Sequence, residues 1–115
     1  MLIQVLKSKI SHAHVTAAEL HYEGSITIDS DIMKAVSIFP GEKVHVLNEN
    51  NGLRLETYCI AGKPGSGEFC LNGPAARHGL VGDRLVVLSY ALCTPDEAKQ
   101  VQPKVVYLDS KNKMK

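Results

Sequence analysis

The stretch Val44-His45-Val46-Leu47-Asn48-Glu49-Asn50-Asn51-Gly52-Leu53-Arg54-Leu55 decides how this chain folds. Val44-x-Val46 and Leu53-x-Leu55 repeat their apolar residues every second position, the period of a strand with one buried face. Asn51-Gly52 lies between them, and this pair favours the left-handed backbone of a tight turn, so the stretch predicts a β-hairpin. Working outward, similar short apolar and β-branched runs separated by Gly, Pro, Asn and Asp predict strands over residues 2–10, 25–29, 43–47, 69–71, 85–90 and 105–108. Leu85-Val86-Val87-Leu88 is apolar at every position, which predicts burial on both faces and suits a closed barrel. The chain therefore reads as mainly β. Two short peripheral helices are expected. One covers residues 31–36, with Ile32, Met33, Ala35 and Val36 on one side, and the other starts at Thr94-Pro95-Asp96-Glu97, where Thr caps and Pro suits the first position. Residues 111–115 read as a solvated tail.

A length of 115 residues with 44% hydrophobic and 22% charged side chains fits one domain, residues 1–115, with no repeat or linker to divide it. The formal charge of +1 provides no field for a nucleic-acid backbone or an anionic membrane, so neither is expected as a partner. Cys59, Cys70 and Cys93 are odd in number and form no C-x-x-C pair, which fits a reducing compartment and buried, unpaired thiols. No apolar run approaches the ~20 residues of a membrane span, and residues 1–9 lack a signal-peptide pattern. A soluble, cytoplasmic protein is expected.

Phosphate-binding glycine loops, G-x-S-x-G and H-E-x-x-H are all missing. His12 and His14 share a spacing of two, yet a metal needs a third and fourth ligand that nothing identifies, so no metal is assigned. Gly24-Ser25, at the entry to a predicted strand, offers different chemistry. Glycine tolerates unusual backbone angles, and a hydroxyl held against the preceding carbonyl can attack it, provided donors steady the resulting oxyanion. The dipeptide alone does not suffice, because Gly65-Ser66 repeats it in what reads as a flexible turn.

The wider context resembles the pyruvoyl-dependent aspartate decarboxylases. It does so through Lys9, His21-Tyr22-x-Gly24-Ser25-x-x-Ile28-Asp29, Asn51-Gly52-x-Arg54-x-x-Thr57-Tyr58, Asn72-Gly73-x-Ala75-Ala76 and Gly82-Asp83, in that order over most of the chain. The resemblance implies a double-psi β-barrel and a homo-oligomer, usually a tetramer. It further implies self-cleavage between Gly24 and Ser25 into residues 1–24 and 25–115, and conversion of Ser25 into a covalent pyruvoyl group without metal or pyridoxal phosphate. That ketone would form an imine with L-aspartate and accept the electrons left by departing carbon dioxide, giving β-alanine for pantothenate and coenzyme A synthesis. Some relatives need a helper protein to mature. The alternative is a binding or regulatory barrel that no longer matures.

By the same resemblance, Arg54 binds a substrate carboxylate, Lys9 and Thr57 contact substrate, Gly73, Pro74 and Ala75 line the pocket, and Tyr58 donates a proton to the α-carbon. Gly24, Ser25, Thr57 and Asn72 serve maturation. Two positions depart from the family pattern: Ser11 followed by His12 stands where a histidine is usual two residues after the lysine, and Pro74 replaces alanine. A one-residue slip in a strand reverses the face, so His12 is not expected to substitute directly. Strand geometry adds an independent expectation. Arg54 and Tyr58 share a face but lie about 13 Å apart along an extended strand, too far for one small substrate. Either the strand bends strongly or the two side chains come from different subunits, and the second is expected here.

Overall fold

A computed structural model describes residues 1–115 as eight strands: β1 (Ile3–His14), β2 (Ala17–Glu19), β3 (Ser25–Asp29), β4 (Lys43–Asn48), β5 (Arg54–Gly62), β6 (Phe69–Asn72), β7 (Arg84–Cys93) and β8 (Lys104–Tyr107). Two short α-helices, α1 (Ser30–Ala35) and α2 (Pro95–Ala98), and a 3-10 helix over Gly73–His78 complete it. The strands form one sheet in the order β2-β6-β3-β5-β4-β7-β1-β8. β1 and β2 are consecutive in the chain yet lie near opposite ends of this order, so the link between them joins the two ends. Val15 N–H donates to the Asp83 carbonyl at 2.9 Å and Thr16 N–H to the Phe69 carbonyl at 2.9 Å. The sheet thereby closes on a core containing Ile10, Ile26, Ile28, Val44, Val46, Phe69, Leu71, Leu85 and Val87. Cys59, Cys70 and Cys93 are buried free thiols, and burial, helped by the Glu42 charge, pushes Cys59 up to about 12.

The predicted hairpin forms, with Val46 opposite Leu55 and Leu47 opposite Arg54, but its loop spans residues 49–52. Of the Asn51-Gly52 pair only Gly52 adopts a positive φ, 75°. The Asn48 side chain accepts the Asn50 N–H at 2.8 Å, so an asparagine turn holds the loop instead of a two-residue one. In the apolar run of β7, Leu85 and Val87 are buried while Val86 and Leu88 are only half-buried, so one face fills the core and the other lies at the outer surface. In the first helix Ile32, Met33 and Val36 face inward, whereas Ala35 is exposed. β1 runs on past its predicted end to His14. Its pairing with β7 shifts register between Ile10 and Ala13, and His12 sits in that bulge at φ 64°. Thr94 caps α2 with a reciprocal bond from Glu97, as its sequence predicts.

The expected solvated tail is instead fastened to the barrel. Asn112 is buried: its Oδ1 accepts the His14 N–H at 2.8 Å, and its Nδ2 donates to the carbonyls of His14 and Gly67, both at 2.8 Å. One side chain thus joins backbone groups of two segments. Asn112→Ala should lower stability by about 3 kcal/mol, read as a fall in the urea midpoint at fixed protein concentration. A change within error would show that water replaces the lost bonds.

Asp29 ties α1 to the 65–67 turn, accepting N–H groups from Asp31 at 2.9 Å, Gly65 at 3.0 Å and Gly67 at 2.8 Å. Burial alone would raise its carboxyl, but these backbone donors outweigh it and hold it below its ordinary 3.8. A depressed folded-state value means stabilisation that is complete above the unfolded value and is lost as pH falls through the folded one. Between about pH 5 and pH 3 the wild-type midpoint should therefore fall more steeply than that of Asp29→Asn; parallel curves would remove Asp29 from the acid response.

Candidate functional site

The site begins with the register of β3. Ile26 pairs with Leu71 and Ile28 with Phe69, and all four side chains are in the core. Alternation then puts the intervening pairs, Ser25 with Asn72 and Thr27 with Cys70, together on the opposite face. There Asn72 Nδ2 donates to Ser25 Oγ at 2.8 Å and to Thr27 Oγ1 at 2.9 Å, while its Oδ1 accepts the Cys70 thiol at 3.2 Å. Ser25 is 0% exposed. Ser66, in the other Gly-Ser pair, lies in an exposed turn and accepts only the Glu68 N–H.

Gly73 brings the loop before Ser25 against this cluster. At φ 62° it suits glycine, and a Cβ there would collide with the Tyr22 carbonyl oxygen and approach Gly24 N to 2.8 Å. Pro74 follows at the start of the 3-10 helix, where a missing N–H is not needed, and its Cδ lies close to Gly24. A hollow of about 250 Å³ opens beside them, lined by Gly24, Leu55, Thr57, Pro74, Ala75 and His78. Gly24, Thr57, Pro74 and Ala75 are thus brought together, with Ser25, Asn72 and Gly73 in adjoining buried positions.

Lys9, Arg54 and Tyr58 are distributed differently. Cys59 pairs with Ile26 in the core, so Tyr58, one step earlier on β5, shares the outer face with Ser25. Arg54 is on the same face at the other end of an unshifted register that runs from Leu47–Arg54 to Lys43–Tyr58. Lys9 pairs with Leu88, between the buried pairs Ser8–Ser89 and Ile10–Val87, and so faces outward as well. It is on β1, four strands from β3, or about 19 Å across the sheet. The outer surface of a closed barrel is convex and spreads these side chains further. Outward-facing side chains on a closed barrel diverge, which sets Lys9 and Ser25 of one chain apart.

Sequence reasoning missed the neighbours that orient these groups. Arg54 donates through Nε to His45 Nδ1 at 3.3 Å and through Nη2 to the Tyr90 hydroxyl at 3.3 Å. Thr27 and Cys70 were also overlooked, although a pairing of predicted strands 25–29 and 69–71 would have put them beside Asn72. At the first departure from the family pattern, Ser11 is buried and His12 packs edge-on to Tyr107 at 5.7 Å between centroids. The bulge interrupts alternation there, so the face of His12 does not follow from counting residues. His14 contacts Asn112 instead, and no group of three or more His, Cys, Asp or Glu side chains is arranged to hold a metal. No helix is long and apolar enough to cross a membrane.

The family described as "Aspartate decarboxylase" matches residues 1–115. A protein of Listeria monocytogenes named aspartate 1-decarboxylase is 54% identical over 112 residues, covering 97% of this chain and 88% of that one. Its namesake in Caldicellulosiruptor saccharolyticus is 54% identical over 114 residues, 99% of this chain and 89% of that one. Among solved structures, the rationally designed double-psi β-barrel protein mkDPBB_sym_86 is similar with a TM-score of 0.50 at 16% identity, covering 67% of this chain and 90% of that one. That likeness concerns the fold, a double-psi β-barrel; the sequence matches extend over the whole site, from Lys9 to Ala75, and show that this chain belongs to the aspartate decarboxylase family.

Proposed function

We propose that this protein is a lyase that cuts its own backbone between Gly24 and Ser25, turns Ser25 into a pyruvoyl group and then decarboxylates L-aspartate to β-alanine. The observation that carries this reading is the buried Ser25 hydroxyl, held by Asn72 at 2.8 Å beside a Gly24 that borders the hollow. A nucleophile on the residue that directly follows the carbonyl it must attack needs restraint more than proximity. The strand start, Asn72 and the close crossing of Gly73 provide that restraint. The pyruvoyl carbonyl supplies the electron sink that amino-acid decarboxylation requires.

The remaining roles belong to the chain's own side chains. Arg54, with its fork of donors oriented by His45 and Tyr90, binds the substrate's side-chain carboxylate, and Lys9 adds a second positive charge. Thr57, Gly73, Pro74 and Ala75 surround the reacting end. Tyr58, beside Ser25 on the outer face, holds the proton destined for the α-carbon. In the cytoplasm the β-alanine would supply pantothenate and coenzyme A synthesis.

Denaturing mass spectrometry tests the first step. Mature protein should give residues 1–24 and a piece starting at position 25 without a free amine, whereas Ser25→Ala should remain whole and release no carbon dioxide from L-aspartate. A wild-type chain that stays intact on prolonged incubation and is inactive would sink this reading in favour of an inert barrel module. Where maturation is slow, a helper protein would act on the cutting rate alone.

The separation of Lys9 and Arg54 from Ser25 supports a site built between copies of the chain in a homo-oligomer, a tetramer on this reading, as does the unshifted register between Arg54 and Tyr58. One subunit gives Ser25 and Tyr58, and its neighbour gives Arg54 and Lys9. Arg54→Ala and Tyr58→Phe should each lower activity by about 10²-fold or more. Co-expressed, they should regain activity at about one site in four, because random assembly leaves that share with both wild-type side chains. Absence of any recovery would put both residues in the same subunit's site.

A further inference from the structure

The geometry points to Cys70 and Thr27 as positioning residues for self-cleavage, which orient the Asn72 carboxamide so that its N–H, and not its carbonyl, faces the Ser25 hydroxyl. The inference rests on the self-cleavage reading above and deepens it. Asn72 has two N–H donors and one carbonyl acceptor. Both donors are directed to hydroxyl oxygens, Ser25 Oγ at 2.8 Å and Thr27 Oγ1 at 2.9 Å, and the carbonyl receives the Cys70 S–H at 3.2 Å. Ser25, Asn72 and Cys70 are buried, at 0%, 3% and 5% exposure, and Thr27 is half-buried at the edge of the cluster.

Orientation decides what happens to the Ser25 proton. In the acyl shift, Oγ bonds to the Gly24 carbonyl carbon, the Gly24–Ser25 C–N bond breaks, and the hydroxyl proton ends on the freed Ser25 nitrogen. Atoms and charge balance without another reactant. An N–H directed at Oγ stabilises the negative charge that grows there and leaves the hydroxyl proton free to depart. A rotated carboxamide would instead accept that proton in a hydrogen bond and hold it on the nucleophile. It would also turn an NH₂ group towards the thiol, a weak acceptor, so the Cys70 donor opposes rotation. Burial pushes the Cys70 thiol up, and the carboxylates of Glu68 and Glu19 act in the same direction, so the sulfur keeps its proton for Asn72.

The test compares variants that keep or remove each donor or acceptor. The half-time for conversion of freshly made precursor into two pieces is followed by denaturing mass spectrometry, with thermal midpoints measured alongside. Cys70→Ser retains a donor and should cut within about twofold of wild type, whereas Cys70→Ala should be slower by about tenfold at a similar midpoint. Thr27→Ser and Thr27→Val should divide in the same way. Equal rates for Cys70→Ser and Cys70→Ala would overturn the inference, whether both were fast or both slow. A wild-type chain that never cuts would overturn the self-cleavage reading instead. Orientation is read independently of cutting in the uncut Ser25→Ala chain, where Cys70→Ala should shift and broaden the Asn72 side-chain amide signals in ¹⁵N–¹H spectra. Unchanged signals would show that Cys70 does not orient Asn72.

Discussion

The pairing of β3 with β6 is the constraint on which the rest of the site depends. Ile26 against Leu71 and Ile28 against Phe69 fix the register through core packing, and the same register puts Ser25 opposite Asn72. A slip by one residue would send Ser25 and Thr27 into the core and bring Ile26 and Ile28 to the other face. The hydrophobic effect thus sets a position that no polar contact could fix alone, since burial of each large aliphatic side chain contributes about 2 kcal/mol and a neutral hydrogen bond about 1 kcal/mol. Packing holds the nucleophile in register, and Asn72 then holds its oxygen.

A second consequence follows from closing the sheet. Once Thr16 and Phe69 join its ends, the interior is filled mainly by apolar side chains and a ligand site has to lie on the convex outside or at an end. Convex surfaces diverge, so Lys9, Arg54 and Ser25 do not converge on one point within a chain. Beyond the hollow beside Gly24, such a surface gains further concavity where another body meets it. Exposed Leu80, Val81 and Tyr22, at 75%, 66% and 58%, are the kind of apolar cover that a second copy would remove from water. On the proposed reading, the fold that places Ser25 firmly leaves the substrate-binding charges to a neighbouring copy.

The fold was largely legible because alternation in Val44-x-Val46 and Leu53-x-Leu55 has a single physical meaning, and because Thr94-Pro95-Asp96-Glu97 carries a complete cap. Legibility failed where a side chain acts at long range. Asn112 looks like one more polar residue in a lysine-rich tail, and only the closed barrel brings His14 and Gly67 within its reach. The two-residue turn expected at Asn51-Gly52 yielded to Asn48, whose side chain takes the backbone donors that a tighter turn would have satisfied itself. Near His12, a bulge ended the alternation from which its face had been argued. The candidate site residues were named through resemblance and not through pattern: nothing local distinguishes Arg54 from any exposed charge on a hairpin.

The two Gly-Ser pairs show why local chemistry cannot identify a reactive bond. Ser66 has the same hydroxyl and the same preceding glycine as Ser25, but it lies in an exposed turn where its hydroxyl accepts the Glu68 N–H and the Gly65 carbonyl accepts a bond from Lys113 Nζ at 2.9 Å. Attack from such a position would require breaking these contacts and desolvating the nucleophile at the moment of reaction. For Ser25 those costs are met during folding, by the strand register, the Gly73 crossing and the carboxamide of Asn72. On the proposed reading, what separates an inert peptide bond from a reactive one is therefore a property of the barrel, and the dipeptide only meets its minimum requirement.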